Sequence, residues 1–191
     1  MRALLLVNLQ IDFYPGGATG IAGGDRLIPI ANELMPQFDL VVAARDWHPA
    51  EHCSFASTHL WRRPGQVIQL GERQQLLWQM HCVQESFGAE WMPGLQYERF
   101  DVIVNKGVRP DTDGYSAFAD TELQSILQER GVQEIWLMGM ATEYDIVATA
   151  LDAARLHFKT TILKHACLPL DATKEAEAWW GVEKEIGGAV E

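Results

Sequence analysis

The sequence predicts an α/β protein: a three-layer α/β/α sandwich around a mainly parallel sheet of five or six strands, formed by one domain over residues 1–191. Two observations predict it. Short runs that are apolar at consecutive positions recur along the chain, as strands covered on both faces require. Segments with helical spacing of apolar residues separate them, and strand–helix–strand order gives parallel neighbours through right-handed crossovers. A chain of 191 residues can bury one sizeable core, and 48% hydrophobic with 21% charged residues is the balance of a soluble globular protein.

Taken in order, Ala3 to Val7 is the first apolar run and reads as a strand. Gly-rich turns follow at Pro15-Gly16-Gly17 and Gly23-Gly24, without the G-x-G-x-x-G spacing of a dinucleotide fingerprint. Asp25 to Met35 carries Leu27, Ile28, Ile30, Ala31 and Leu34 at helical spacing. Leu40 to Ala44 is the second strand, and Trp47 to Gly71, with Pro49, Pro64 and Gly65, reads as a loop. Val102 to Asn105 is a third strand, followed by a second loop, Gly107 to Ala119, which contains Pro110, Asp111, Asp113 and Gly114. Thr121 to Arg130 is helical through Leu123, Ile126 and Leu127. Ile135 to Met138 and Thr160 to Leu163 complete the strands, with a helix over Thr149 to Leu156 between them.

A net charge of -11 argues against a nucleic-acid partner, which calls for clustered Lys and Arg. No apolar run approaches the length of a membrane span. The run after Met1 is interrupted by Asn8 and Gln10 too early for a signal peptide. Cys53, Cys82 and Cys167 are odd in number and widely separated, so no disulfide framework is implied and a reducing cytoplasm is expected. Homo-oligomerisation is left open by the sequence.

The second strand ends in Ala44-Arg45-Asp46-Trp47-His48-Pro49-Ala50-Glu51-His52, and His81 follows in Trp78-Gln79-Met80-His81. Asp46, His48, His52 and His81 form an O/N ligand set for one divalent metal ion, Zn²⁺ first, with Fe²⁺ or Mn²⁺ as alternatives. In a doubly wound sheet, ligands bind at the carboxyl ends of the strands. Asn8, Lys106 and Asp145 sit at or just beyond three such ends.

At these residues the chain resembles the nicotinamidase/pyrazinamidase branch of the isochorismatase-like hydrolases. The resemblance runs through V-N-L-Q-I-D-F, D-W-H-P-A-E-H-C-S-F-A-S, W-Q-M-H-C-V-Q, N-K-G, D-G-Y-S-A-F and G-M-A-T-E-Y-D. It implies an isochorismatase-like fold, hydrolysis of nicotinamide or a related small cyclic compound, and a metal at Asp46, His48, His52 and His81. It places Phe13, Trp78 and Tyr115 around a pyridine pocket. It also implies a cis peptide between Met140 and Ala141, with an oxyanion hole nearby.

The catalytic set departs from the family's pattern. Lys106 matches its Lys, but Asn8 stands where the family has an Asp base and Asp145 where it has a nucleophilic Cys. An amide cannot act as a base, and a carboxylate is a poor nucleophile towards an amide, so the usual thioester route is excluded. The two changes read as paired: a carboxylate leaves position 8 and one appears at 145, where Lys106 is expected to remain charged and to lower the Asp145 pKa. Two readings follow, an altered metal-dependent hydrolase with Asp145 as base, or an inactive relative that binds a ligand as a regulatory protein. Cys53 follows His52 and Cys82 follows His81, which places both near the pocket, and Cys167 resembles a structural position; none of the three is expected to replace the nucleophile.

Overall fold

The central strand, β1 (Arg2–Val7), organises the fold, because the chain builds outwards from it in both directions. On one side lie β2 (Leu40–Asp46) and then β5 (Val102–Lys106); on the other lie β6 (Glu134–Met140), β7 (Lys159–Leu168) and β8 (Ala189–Val190). Every pairing in this six-stranded sheet is parallel, in agreement with the expected architecture. A short antiparallel hairpin, β3 (Val67–Leu70) and β4 (Arg73–Leu76), stands apart from it. The computed structural model describes residues 1–186 and, as backbone, 189–190.

Strand periodicity explains the layers. Along β1, Ala3, Leu5 and Val7 enter one apolar cluster, whereas Leu4 and Leu6 enter the other. The first cluster is closed by α2 (Leu123–Glu129), α3 (Val147–Arg155) and α4 (Glu175–Ile186) through Leu127, Ala150, Ala153, Trp179 and Val182. The second is closed by α1 (Leu27–Leu34), which buries Leu27 and Ala31, one helical turn apart, with Phe13 and Met92 from the neighbouring loops.

The structure departs from the sequence expectations in three places. The supposed loop over 47–71 contains the start of the hairpin, whose two-residue turn, Gly71-Glu72, has Gly71 at φ 59°. The last predicted strand is longer, running over Lys159–Leu168. The helix α4 was not expected, because Gly181 and paired Trp179-Trp180 blur its period; Trp179 is buried and Trp180 exposed. None of the helices among the described residues is long and apolar enough to cross a membrane.

Candidate active site

The strand order β5-β2-β1-β6 brings four carboxyl ends together where the sheet reverses its direction of growth. Asn8 follows β1 with φ 58°, Asp46 ends β2, and Lys106 ends β5 as its register partner. Beyond β6, Ala141 turns the chain at φ 61° into a π-helical turn, Thr142–Ile146, that carries Asp145 inwards. Lys106 Nζ, fully buried, donates to both Asp46 Oδ1 and Asp145 Oδ1. Gln10, not among the expected site residues, fixes β2 by accepting from Asp46 N–H and donating to Asp46 O, both at 2.8 Å.

The two carboxylates respond in opposite directions to one shared ammonium. Burial opposes ionisation of Asp46, but Lys106 and then His48 overcome it and hold the carboxyl well below its usual range. Burial also pushes Asp145 up; Lys106 lowers it, the Asp46 charge raises it, and the net value is about 6. Lys106 thus lowers the Asp145 pKa as expected, but burial outweighs it and the net shift is upward, not downward. Lys106 itself loses stability as a cation through burial, yet Asp145 and Asp46 more than restore it and raise its pKa. Asn8 lies close enough to Asp145 to favour its charged form, but neither of its buried amide atoms has a hydrogen-bond partner.

Because folded Asp145 holds its proton more tightly than an unfolded Asp, whose pKa is about 3.9, its contribution to stability falls as pH rises from about 4 to about 6. Urea unfolding in chelator should show Asp145→Asn gaining on the natural protein across this window and holding level above it. A constant difference would contradict the raised value.

Three of the four expected metal ligands converge. Donor atoms of Asp46, His48 and His81 all lie within 4.8 Å of one another, and all three residues are buried. Each imidazole Nε2 stands 3.7 Å from Asp46 Oδ2, too far for a good hydrogen bond. His48 Nδ1 donates to Gly107 O at 2.9 Å and His81 Nδ1 to Gln79 O at 2.8 Å. A carbonyl only accepts, so each Nδ1 carries a proton, and in the neutral rings it is the Nε2 lone pair that faces the carboxylate, as ligation requires. Burial opposes the charged form of His81, but Asp46 outweighs it and raises the His81 pKa. These donors fit a divalent ion with open positions left for a ligand.

His52 does not join them. Ser54 N–H points at its Nδ1 at 3.3 Å and Ser54 Oγ lies 2.7 Å away, so the lone pair is on Nδ1 and the proton on the unpartnered Nε2. Burial and then His48 lower the His52 pKa to about 4, keeping it neutral beside the His48 ring, 4.4 Å away.

The pocket above this cluster is lined by Phe13, Trp78 and Tyr115, as expected, and by Asp113, Thr19 and Leu170, which were not. Trp78 Nε1–H donates to Tyr115 Oη at 3.0 Å, and Phe13 meets the His81 ring edge-on at 5.8 Å. Tyr144, missed although it adjoins Asp145, supports Trp78 edge-on at 4.9 Å. The Met140–Ala141 peptide is trans, not cis as expected, and the chain passes through it with positive φ at Gly139 (140°) and Ala141 (61°). The amides of Tyr144, Asp145 and Ile146 all donate to Ala141 O, so they are committed within the turn.

An isochorismatase domain model matches residues 2–190. The chain belongs to the isochorismatase family. Within the family it is 38% identical over 184 residues to the nicotinamidase of Acinetobacter baylyi, covering 93% of this chain and 86% of that protein. A solved nicotinamidase/pyrazinamidase of Acinetobacter baumanii superposes with a TM-score of 0.94 at 35% identity, covering 100% of this chain and 95% of that one. The pyrazinamidase of Pyrococcus horikoshii, solved in complex with zinc, gives 0.83 at 36% identity, with 99% and 97% covered.

In this isochorismatase-family chain the thiols are poorly placed as nucleophiles. Burial raises the pKa of Cys53 despite Arg73 Nη2 at 3.1 Å from its sulfur, raises Cys82 well above the usual range, and pushes Cys167 to about 12. Each thiol is therefore held protonated near neutral pH. Asp12, from the family-like V-N-L-Q-I-D-F run, plays a structural part, because its carboxylate accepts from Cys82 N–H at 2.7 Å and Ala18 N–H at 3.3 Å. It thereby fixes the segment that presents His81. Asp12→Ala should weaken zinc binding by about 10–100-fold, as loss of outer support to a ligand does, measured by competition with a chromogenic chelator. Unchanged zinc affinity would remove Asp12 from this role.

Proposed function

We propose that the chain is a nicotinamidase-like, metal-dependent hydrolase acting on nicotinamide or a related small cyclic compound, with Asn8, Lys106 and Asp145 as its catalytic set. One observation carries this reading: the Asp145 carboxylate lines the pocket, bonded to Lys106, beside the Asp46, His48 and His81 cluster. Among the described residues, no thiol lines that pocket. The reading therefore sets the Cys thioester route aside, and general-base attack by water is the route left to these residues.

Asp145 takes the proton as a water oxygen bonds to the carboxamide carbon. That proton then passes to the departing nitrogen, giving ammonia and a carboxylic acid. Lys106 keeps Asp145 in place and offsets part of its charge. A divalent ion at Asp46, His48 and His81 would supply positive charge to orient the ligand, and the zinc-bound relative makes zinc the first candidate. The aromatic wall of Phe13, Trp78 and Tyr115 suits a flat ring. The unpaired cysteines fit a reducing, cytoplasmic setting.

A second reading has its own support. Asn8 is buried with neither amide atom paired, and it offers no base. That favours an inactive homologue which binds the ligand in a regulatory role. Asp145→Asn separates the two. For an enzyme it should cut ammonia release by about 10²–10⁴-fold, the usual worth of a general base, with zinc content unchanged. Residual turnover equal to that of the natural protein would remove Asp145 from the chemistry.

A further inference from the structure

The hairpin of β3 and β4 joins no other strand, yet one of its side chains reaches the loop that leads into the pocket wall. Arg73, the first residue of β4, donates from Nη2 to Asp111 O at 2.7 Å and holds the same nitrogen 3.1 Å from Cys53 Sγ. Its Nη1 stands 3.7 Å from Asp113 Oδ2. Cys53 adds a backbone tie, its N–H donating to Pro110 O at 2.8 Å. The loop returns on itself so closely that a Cβ on Gly114 would fall onto Gly107 Cα. Among the described residues, no backbone carbonyl accepts an N–H from positions 108–116, so the loop has no ladder of its own and depends on ties from outside. Arg109 and Thr112 reach Asp120 at 3.4 Å, but both contacts are exposed, and exposed charge pairs contribute little.

From this we infer that Arg73 is a positioning residue: it clasps the crown of the loop, Pro110 to Asp113, to the hairpin and so sets Asp113 and Tyr115 in the pocket wall. Tyr115 directly follows Gly114, and its Oη accepts from Trp78 Nε1–H at 3.0 Å. Trp78 is fixed by its own backbone, whose N–H donates to Ser54 O at 2.7 Å and whose carbonyl accepts from Ala56 N–H at 2.9 Å. The indole bond therefore reports where Tyr115 is held. Arginine suits the clasp because its planar fork presents several donors at fixed angles, whereas lysine offers a single point charge. With the crown released, the loop can swing about Gly107 and Gly114, at φ 63° and 70°. Fewer molecules then hold the wall in place, and ligand affinity falls with that fraction. Metal binding does not share this dependence: Gly107, whose carbonyl accepts from His48 Nδ1, adjoins Lys106 at the end of β5 and stays anchored there. The inference rests on the proposed ring pocket and goes beyond it by giving the isolated hairpin a part in shaping that pocket.

The test compares the zinc-loaded full chain with Arg73→Gln and Arg73→Lys; 32% of the Arg73 side chain is exposed, so the site tolerates substitution. NMR reads the Trp78 indole N–H, assigned by its disappearance in Trp78→Phe. In Arg73→Gln that N–H should exchange with water at least about tenfold faster, and in Arg73→Lys by a smaller factor. The Trp179 indole, which donates to Glu175 Oε1 at 3.3 Å in α4, should exchange at its natural rate in both. Nicotinamide, titrated calorimetrically, should bind Arg73→Gln about three- to tenfold more weakly, with zinc content unchanged. Natural exchange at Trp78 in Arg73→Gln overturns the clasp, and so does equal acceleration at Trp179, the sign of a general loosening. Faster Trp78 exchange with natural nicotinamide affinity overturns the part given to Arg73 in ligand binding. Failure of the natural protein to bind nicotinamide overturns the ligand proposed above, and the Trp78 N–H still decides the clasp.

Discussion

Lys106→Met should destabilise the protein by about 3–5 kcal/mol, the cost of leaving a buried charge without its partner. Methionine matches the length of the lysine stem, so the core keeps its volume. What is lost is the ammonium that Asp46 and Asp145 share in the interior. Two carboxylates would then face each other across a space with no cation. Adding Asp145→Asn removes one of them, so the double variant should recover part of the loss, a coupling that independent sites would not show. Urea unfolding of the single and double variants in chelator reads it. A cost below about 1 kcal/mol would place Lys106 among ordinary surface ion pairs.

Gly139→Ala should be comparably severe for a steric reason. Gly139 lies in β6 at φ 140°, paired in register with Val7 of the central strand. A Cβ there would stand 2.1 Å from Val7 O and 2.8 Å from Val7 N. Those are backbone atoms of the neighbouring strand, so relief requires separating β1 from β6 beneath Asn8 and Asp145. The expected loss is at least about 4 kcal/mol, the range of exceptional substitutions. Gly16→Ala is the matched control: φ is 95°, and an added Cβ would have nothing within 4 Å, so only backbone strain of about 1 kcal/mol applies. Equal losses at the two positions would remove the strand clash as the cause.

Much of the architecture was legible because β1, β2, β6 and β7 carry apolar residues on both faces, a signal that depends on local sequence alone. The edge strand β5, by contrast, buries Val104 but leaves Ile103 and Asn105 exposed, against the expectation that it would be covered on both faces. Arg73-Gln74-Gln75-Leu76 carries no such signal, and β3 and β4 pair only with each other. In the site, the order of strand ends was enough to bring Asn8, Lys106 and Asp145 together. The role of His52 was not legible, since it turns on which ring nitrogen Ser54 engages. The sign of the Asp145 shift was missed for a related reason. Sequence places Lys106 near Asp145, but only the fold brings Asp46 to the same ammonium and buries all three. The turn at Met140–Ala141 likewise depends on backbone angles at Gly139 and Ala141 that residue identity alone does not fix.

The most direct test is ammonia release from nicotinamide by the zinc-loaded double variant Asn8→Asp, Asp145→Cys, beside the natural protein. The pocket account predicts release by the variant well above the natural rate, and its loss on thiol alkylation, because the ring pocket is intact and only the reacting groups differ. A folded, zinc-loaded variant that releases no ammonia would contradict a nicotinamide pocket in this chain.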